Sequence, residues 1–201
     1  EEERVIAVAY RNVLVNALQD AACQRVYGHS MFEFRPGELV VSESNFYRDK
    51  VLLTANQDEL CVVEIGEKEY EDDPGLPVLM ERLNRPGVFR AFYLSPEDKN
   101  NPQSIYNVEL NERLAHAKQL QEKFKKGDRS VDPARRAAWV SFFEWRDSTV
   151  LSFRHPFAMT SHKSQGSTVR KAFVAVGDLL KYSRAGLYVA VTRAAEEVVL
   201  G

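Results

Sequence analysis

The sequence is poor in cysteine and has no long apolar run. Its two cysteines, Cys23 and Cys61, stand in apolar surroundings and lack CxxC spacing, which predicts buried, reduced thiols in a reducing compartment and no zinc site. No apolar stretch approaches the ~20 residues that cross a bilayer, and the opening Glu-Glu-Glu-Arg differs from a secretory signal. We therefore expect a soluble chain without a membrane partner.

An excess of either charge is also missing, because 27 Lys and Arg face 29 Asp and Glu for a net charge of -2. The total thus does not indicate a polyanionic partner, although the charges are sorted along the chain. Residues 58–73 are strongly acidic, whereas 111–136 and 154–201 are basic. A solvated helix face explains a basic run such as 111–136 at least as often as a phosphate-binding surface does.

What the sequence does contain is typical of a folded globular protein. Of its 201 residues, 44% are hydrophobic, 28% are charged and 10% are aromatic, values that argue against disorder and fibrous repeats. This length predicts one large domain, or one domain that carries an insertion, because single cores stop growing near ~250 residues.

The chain opens with a predicted strand, turn and helix. Residues 5–9 form a continuous apolar run of strand length, which favours a strand buried on both faces of a parallel sheet. Asn12 is placed to cap a helix whose apolar positions recur up to Tyr27, and Gly28 provides its stop.

The middle of the chain has a different pattern. Short strand-like segments at 38–41, 51–54, 60–65 and 88–94 are separated by turn residues, which predicts a small barrel or meander.

Two helices are predicted after it. The first has apolar residues at helical spacing from Leu110 to Phe124, and the second has Asp132 as its N-cap and Pro133 at its first position. We interpret the aromatic residues of the second helix as a packing face rather than a base-stacking platform; they are Trp139, Phe142, Phe143 and Trp145.

Strands and helices alternate again toward the end. Strands are predicted at 149–153, 172–176 and 197–200, with helical segments from Lys163 onward and from Arg184 to Ala195. We therefore expect an α/β layer made from both ends of the chain, interrupted by a β-rich and then a helical insertion.

The first candidate site is the polar segment 160–168, TSHKSQGST, between an apolar strand end and a predicted helix. A strand-to-helix turn presents backbone N–H groups and the positive end of the helix, hydroxyls add donors, and Gly166 allows close approach. This chemistry suits a phosphate, and a polar capping turn is the alternative. The segment is not a Walker A loop, since GxxxxGK[ST] occurs nowhere in the chain.

The second candidate is Arg193, which ends the otherwise apolar helical segment GLYVAVTRA. A guanidinium at the end of a helix forms a salt bridge or stabilises the γ-phosphate of a nucleotide. The residues alone leave both interpretations open.

Together and in this order, the two segments resemble motifs V and VI of superfamily 1 helicases of the RecD-like and UvrD-like type. TSHKSQGST is similar to the motif T-x-H-K-x-Q-G, and LYVAVTRA is similar to the helix that carries the arginine finger. The resemblance implies an α/β fold with a RecA-like parallel sheet of the P-loop NTPase type, formed by 1–33 and 147–201. An SH3-like β-barrel at 34–95 and a helical tower at 96–146 would interrupt it.

The resemblance also implies a function, an ATP-dependent helicase that moves 5′ to 3′ on single-stranded DNA in replication, repair or recombination. Arg193 and Gln165 would be catalytic, and both would bind the nucleotide together with Gly166. The DNA phosphates would be held, without reading of sequence, by Thr160, Ser161, His162 and Lys163.

Cofactors and partners follow from the same resemblance. ATP and Mg²⁺ would be bound mainly by an N-terminal RecA-like domain of the same protein, and no metal ligand is expected within this chain. The partners would be single-stranded DNA, ATP and that domain. The protein would be a monomer in the cytoplasm of a bacterial or phage-infected cell.

The sequence departs from a complete helicase in what it lacks. A Walker A lysine, a Walker B acidic pair and the glutamine of the family's motif III are not found, and motif IV, expected before the Val5 strand, is missing as well. We therefore expect the C-terminal half of a longer protein, without ATPase activity on its own. The alternative is a nucleic-acid-binding module that hydrolyses nothing. In the helicase interpretation, Gln165 and Arg193 should line the same edge of one parallel sheet.

Overall fold

The two ends of the chain fold into one unit and the middle folds into another. The computed structural model describes residues 5–84, 86–165 and 168–201. Two compact units divide the chain: the first contains Glu1–Glu33 and His155–Gly201, and the second contains Phe34–Arg154. No helix in the described ranges is long and apolar enough to cross a membrane.

Strands and helices are numbered in chain order. The strands are β1 (Val5–Ala9), β2 (Leu39–Ser42), β3 (Phe46–Arg48), β4 (Val51–Thr54), β5 (Glu59–Ile65), β6 (Leu76–Arg82), β7 (Val88–Tyr93), β8 (Phe153–Arg154), β9 (Ala158–Thr160), β10 (Val169–Val174) and β11 (Ala194–Leu200). The helices are α1 (Asn12–Val26), α2 (Pro96–Asn100), α3 (Ile105–Lys125), α4 (Asp132–Thr149), α5 (Val176–Tyr182) and α6 (Arg184–Thr192).

A four-stranded parallel sheet in the order β11-β10-β1-β9 forms the centre of the first unit. Alternate residues of β1 face opposite sides, so Val8 packs with Leu179 of α5 and Ala9 packs with Val15 of α1. Both faces of the sheet are covered by helices, which is why β1 is apolar throughout. The prediction of an α/β fold with a parallel sheet is confirmed.

The boundaries of α1 follow from local hydrogen bonds. Asn12 is its first residue rather than its cap, because the N-cap position is Arg11, which makes no side-chain capping bond. Gly28 ends the helix as predicted: it has a φ of 77°, and its N–H donates to the Cys23 carbonyl at 3.2 Å.

The prediction of a helix from Lys163 onward is wrong. Residues 161–165 form a turn, and the next element among the described residues is the strand β10. The Ser164 hydroxyl donates to the Ser161 carbonyl at 2.7 Å, and the Ser164 N–H donates to the Thr160 carbonyl at 3.0 Å. Serine hydroxyls that bond nearby backbone groups compete with helix formation.

The predicted strand at 149–153 is also largely wrong. Helix α4 continues to Thr149, whose hydroxyl donates to the Trp145 carbonyl at 2.6 Å, and only Phe153–Arg154 form a strand, β8. This strand pairs with β2 in the second unit. The first unit therefore resumes at His155 rather than at residue 147.

The second unit contains a five-stranded antiparallel sheet in the order β7-β6-β5-β2-β8 and a separate hairpin of β3 and β4. Its alternating strands place one face in a continuous apolar core. That core consists of Val40, Phe46, Leu60, Val62, Val78, Met80, Phe89, Ala91, Leu151 and Phe153. Strands β3 and β6 are additions to the four segments expected from the sequence.

Helices α3 and α4 belong to the same unit and contact each other. Helix α3 begins at Ile105, earlier than expected, because Ser104 caps it by accepting a bond from the Asn107 N–H. The Trp145 ring stacks on Tyr106 at 5.3 Å, and Phe142 is buried. These contacts confirm the packing role for Phe142 and Trp145, whereas Phe143 is 43% exposed.

Candidate nucleic-acid interface

Three loops of the first unit meet at one edge of its parallel sheet. The carboxyl ends of β1, β9 and β10 lie there, which we call the carboxyl edge, and they are followed by Tyr10–Arg11, by the turn 161–165 and by the start of α5. Open α/β sheets bind ligands in the crevice outside the carboxyl ends of their strands. The carboxyl edge is therefore the candidate binding site of the first unit.

The turn 161–165 exposes cationic and amide side chains. The Ser161 N–H donates to the Ala9 carbonyl at 2.9 Å, which ties the turn to the end of β1. The Lys163 N–H donates to the Thr160 hydroxyl at 3.3 Å, and Thr160 is half-buried. The exposed residues of the turn are His162, Lys163 and Gln165. No helix N-terminus follows in the described residues, so the expected helix contribution to anion binding is wrong.

Ser161 is a packing residue rather than an exposed donor. It is 1% exposed, and its hydroxyl oxygen lies 2.8 Å from the position that a Cβ would take on Gly186 of α6. Among the described residues its hydroxyl has no hydrogen-bond partner. The side chain is thus shielded from a DNA phosphate, contrary to the expectation, and it sets the close approach of the turn to α6.

Asp178 holds the loop after β1 in place. Its carboxylate, whose side chain is 2% exposed, accepts bonds from the backbone N–H of Tyr10 at 2.8 Å and of Arg11 at 3.0 Å, and from the Arg11 guanidinium at 2.5 Å. Burial alone would raise the pKa of Asp178, but the bonds from Arg11 and Tyr10 outweigh it and hold the pKa below its ordinary value. Asp178 is therefore ionised at neutral pH.

An aromatic cluster, defined as Tyr10, His162 and Tyr182, lies beside this anchor. The Tyr10 and Tyr182 rings are stacked, with centroids 5.9 Å apart and planes 6° from parallel, and the His162 ring lies 5.7 Å from Tyr10. Two cations border it: the Arg11 guanidinium lies 4.9 Å from the Tyr182 centroid, and the Lys181 amine lies 5.3 Å from it. Aromatic rings beside cations are typical of surfaces that bind single strands.

Arg193 occupies the opposite end of the sheet. It follows α6 and precedes β11, and its carbonyl accepts a bond from the Val169 N–H at 3.0 Å, at the amino end of β10. From the pairing of Ala9 with Thr160 and of Val5 with Lys171, Val169 lies about 20 Å below Thr160 along the strands, at ~3.3 Å per residue. Gln165 belongs to the turn at the carboxyl edge, because its N–H donates to the carbonyl of His162, whose ring lies beside Tyr10. The expectation that Gln165 and Arg193 share an edge is therefore wrong.

The guanidinium of Arg193 has unused bonding capacity. Arg193 is half-buried, and its Nε is buried with no hydrogen-bond partner among the described residues. A buried unpaired donor costs free energy unless a ligand or another chain satisfies it. Of the two interpretations left open by the sequence, an intramolecular salt bridge is not observed within the described residues.

Gly166 lies outside the described residues. The described residues contain no group of three or more His, Cys, Asp or Glu side chains that could hold a metal ion. Cys23 is buried and Cys61 is half-buried, and both are free thiols; burial raises the pKa of Cys61.

Four residues of this edge were not expected from the sequence: Tyr10, Arg11, Asp178 and Tyr182. A signal existed for Tyr10 and Arg11, because they directly follow the carboxyl end of a strand that was predicted correctly. No local signal indicated Asp178 or Tyr182, since their partners lie more than 160 residues away in the chain.

Comparisons with known proteins point to one family for the end of the chain. Residues 155–200 match the family model of the UvrD-like helicase C-terminal domain. No curated protein matches the sequence. Among solved structures, the crystal structure of Pif1 helicase from Candida albicans is similar, with a TM-score of 0.43 and 11% identity over 100% of this chain and 46% of that chain. The chain thus spans less than half the length of that helicase. The segment that contains both the turn 161–165 and Arg193 is similar to the UvrD-like helicase C-terminal domain.

Proposed function

We propose that this chain is the C-terminal part of an ATP-dependent DNA helicase of superfamily 1 that moves 5′ to 3′ on single strands. The observation that carries the proposal is the family match over 155–200, which covers the exposed turn at the carboxyl edge and Arg193. We further propose that it is a helicase of the type of the bacteriophage Dda helicase, which the order of its elements resembles. In that assignment the first unit is the second RecA-like domain, and the second unit combines an SH3-like barrel, 34–95, with a helical tower, 96–146.

The proposed DNA contacts are phosphate contacts at the carboxyl edge. Thr160, His162 and Lys163 supply a hydroxyl, an imidazole and an ammonium group from one turn. The nearby Lys181 adds positive charge. Arg11 is also close, but its charge is paired with the carboxylate of Asp178. Such contacts position a strand and depend on salt, and they carry no sequence information. Ser161 is left out of this set because its side chain is buried.

The proposed nucleotide contact is the guanidinium of Arg193. In the assembled helicase it stabilises the charge that develops on the γ-phosphate. The role is supported by a half-buried guanidinium that has no ion pair among the described residues. The Walker A lysine and the ligands of Mg²⁺ come from the N-terminal RecA-like domain, so the 201-residue chain alone hydrolyses no ATP. ATP supplies the free energy that closes the two domains on each other.

Gln165 lies between the two ends of the sheet in this proposal, and the predicted nucleotide contact of Gly166 falls outside the described residues. The chain passes from Thr160 at the carboxyl edge to Val169 beside Arg193, and Gln165 lies on that path. Movement of this connection on nucleotide binding would alter the grip of Thr160 and His162 on DNA.

The DNA contacts are tested with the 201-residue chain. Combined Thr160→Ala and His162→Ala substitutions should weaken binding of single-stranded oligonucleotides equally for all sequences, because contacts to phosphates read no base. His116→Ala, an exposed histidine on α3, is the matched control and should change nothing. A loss that depends on base sequence would contradict phosphate contact.

The arginine finger is tested in a protein that joins this chain to its N-terminal domain. Arg193→Ala should still bind ATP and DNA but lose about 10³-fold or more in turnover. Arg184→Ala, at the exposed start of the same helix, is the control and should keep normal turnover. Near-normal hydrolysis by Arg193→Ala would remove the assignment.

A module that binds nucleic acid and hydrolyses nothing is the second candidate. It is favoured by the lack of GxxxxGK[ST] within these 201 residues. The coding sequence upstream of Glu1 distinguishes the two, because a Walker A segment there supports the helicase and its absence supports the module.

A further inference from the structure

We propose that Tyr182 is a base-stacking residue, which receives a nucleobase of the strand whose phosphates lie at the turn 161–165. The inference deepens the proposed function and rests on it, because it concerns the same strand. It assigns a residue outside the polar turn, on the last turn of α5, to the contact with bases rather than with phosphates.

The Tyr182 ring is exposed and yet fixed in position. Tyr182 is 42% exposed, yet its ring is held from within by Tyr10, which is nearly parallel to it. Tyr10 is itself half-buried and packs against the core of the first unit. The exposed part of the Tyr182 ring is available to a ligand. A ring that is already ordered loses little conformational entropy when a ligand stacks on it.

The carboxylate of Asp178 holds the groups that contact the Tyr182 ring. The guanidinium of Arg11 lies over the Tyr182 ring, and it is fixed there by the buried carboxylate of Asp178. The same carboxylate fixes the backbone of Tyr10. One buried group thus sets the position of both rings of the stacked pair, as expected for a preorganised binding surface.

The aromatic cluster adjoins the proposed phosphate contacts of the turn 161–165. Tyr10 touches His162 of the turn on one side and Tyr182 on the other. Lys181, next to Tyr182 in the chain, places a further cation beside the ring. A strand held at His162 therefore has a positively charged aromatic surface in its path, the combination by which proteins hold single strands without reading sequence.

The experiment compares two probes with the same 201-residue chain by NMR titration at low salt. One probe is an oligo-dT of about eight nucleotides, within the usual range of single-strand site sizes. The other is an abasic oligomer of the same length, which keeps the phosphates and has no bases. Tyr182→Ala should weaken oligo-dT binding about fivefold or more, and should leave binding of the abasic oligomer unchanged.

Control variants separate stacking from other effects. Tyr182→Phe keeps the ring and should bind oligo-dT like the wild type. Tyr188→Ala removes a tyrosine that is 72% exposed on α6 and should change neither affinity. If Tyr182→Ala does not fold, Tyr182→Leu keeps apolar contact with Tyr10 without an aromatic face and allows the same comparison.

The outcomes distinguish this inference from the proposed function. Equal losses for both probes, or no loss for either, would overturn the stacking role. If Thr160→Ala with His162→Ala weakens both probes while Tyr182→Ala weakens neither, the phosphate contacts stand and the inference fails. A wild-type chain that binds neither probe at millimolar concentration would overturn both.

Discussion

Both units of the chain have an apolar core, but among the described residues the first buries more polar side chains than the second. The second unit is held by a continuous apolar core around Leu60 and Met80. In the first unit, buried polar groups also fix the backbone: Asp178 holds the loop after β1 at the carboxyl edge, and Gln19 bonds the backbone of His155 and Ala158 at the amino end of β9. Burial of polar groups requires full hydrogen bonding and fixes geometry. In the first unit, the buried carboxylate of Asp178 therefore fixes the geometry of the loop beside the candidate site.

The largest expected effect is a core substitution in the second unit. Leu60→Ala removes a fully buried side chain of β5 and should lower the free energy of unfolding by about 2–5 kcal/mol, because the cavity cannot be refilled. Val63→Ala, at a 38% exposed position of the same strand, should cost about 0.5 kcal/mol. Urea denaturation measures both. Equal losses would show that the core is not where the second unit gets its stability.

The next effect concerns the contact between the turn 161–165 and α6. Gly186→Ala would place a Cβ 2.8 Å from the Ser161 hydroxyl and 3.0 Å from that of Ser183, and such overpacking costs about 1–3 kcal/mol. Gly177→Ala in α5 meets no atom within 4 Å and should stabilise by about 0.5–1 kcal/mol.

A double variant tests the source of that cost. Adding Ser161→Ala to Gly186→Ala removes the nearest obstructing atom and should restore part of the lost stability in thermal unfolding. If the second substitution adds its own cost instead, the close approach of Ser161 to Gly186 is not what limits this position.

Asp178 provides a pH-dependent test of the polar anchor. Asp178→Asn cannot accept from all three donors and should cost about 1–3 kcal/mol at neutral pH. Because the folded pKa of Asp178 is lowered, its stabilisation is present above the ordinary carboxyl pKa of about 3.9 and is lost as the pH falls through the lower folded value.

The measurement is the difference in unfolding free energy between wild type and Asp178→Asn across pH. The difference should stay constant from neutral pH to about 5 and shrink below about 4. Glu196→Gln, which breaks an exposed pair with Arg170, should cost about 0–1 kcal/mol and serves as the control. A difference that grows on acidification would contradict the anchor.

The sequence was most informative where one physical cause dominated. The apolar run 5–9 predicted β1 correctly, because only a strand covered on both faces is apolar throughout. Strand β6 was missed because Pro77 and the charges of Glu81 and Arg82 obscure it, although it is central in its sheet. Tertiary pairing on both sides outweighs the local signal there.

The candidate site shows the same limit. The polar turn was found from its composition, but its predicted helix was wrong, since its hydroxyls bond the backbone instead. The shared edge of Gln165 and Arg193 was wrong because strand register is a long-range property. The aromatic cluster joins residues from both ends of the chain, a contact that no window of one sequence contains.

The smallest expected effect tests whether the second unit takes any part in binding. Lys123→Gln changes an exposed cation of the basic run 111–136, where Arg129 and Arg135 stack over Phe124 at 4.4 and 4.5 Å and Asp132 pairs with Arg135. With these charges used inside the unit, the substitution should change stability by no more than about 0.5 kcal/mol.

Single-strand affinity should then respond differently in the two units. Lys123→Gln should leave the affinity of the 201-residue chain for oligo-dT and its salt slope unchanged, whereas Lys163→Gln should lower the slope by about 0.7. If Lys123→Gln lowers the salt slope as much as Lys163→Gln does, the basic run also contacts phosphates, because each cation that contacts a phosphate releases a counterion. The second unit would then share the nucleic acid with the first, and its apolar core would support a second binding surface.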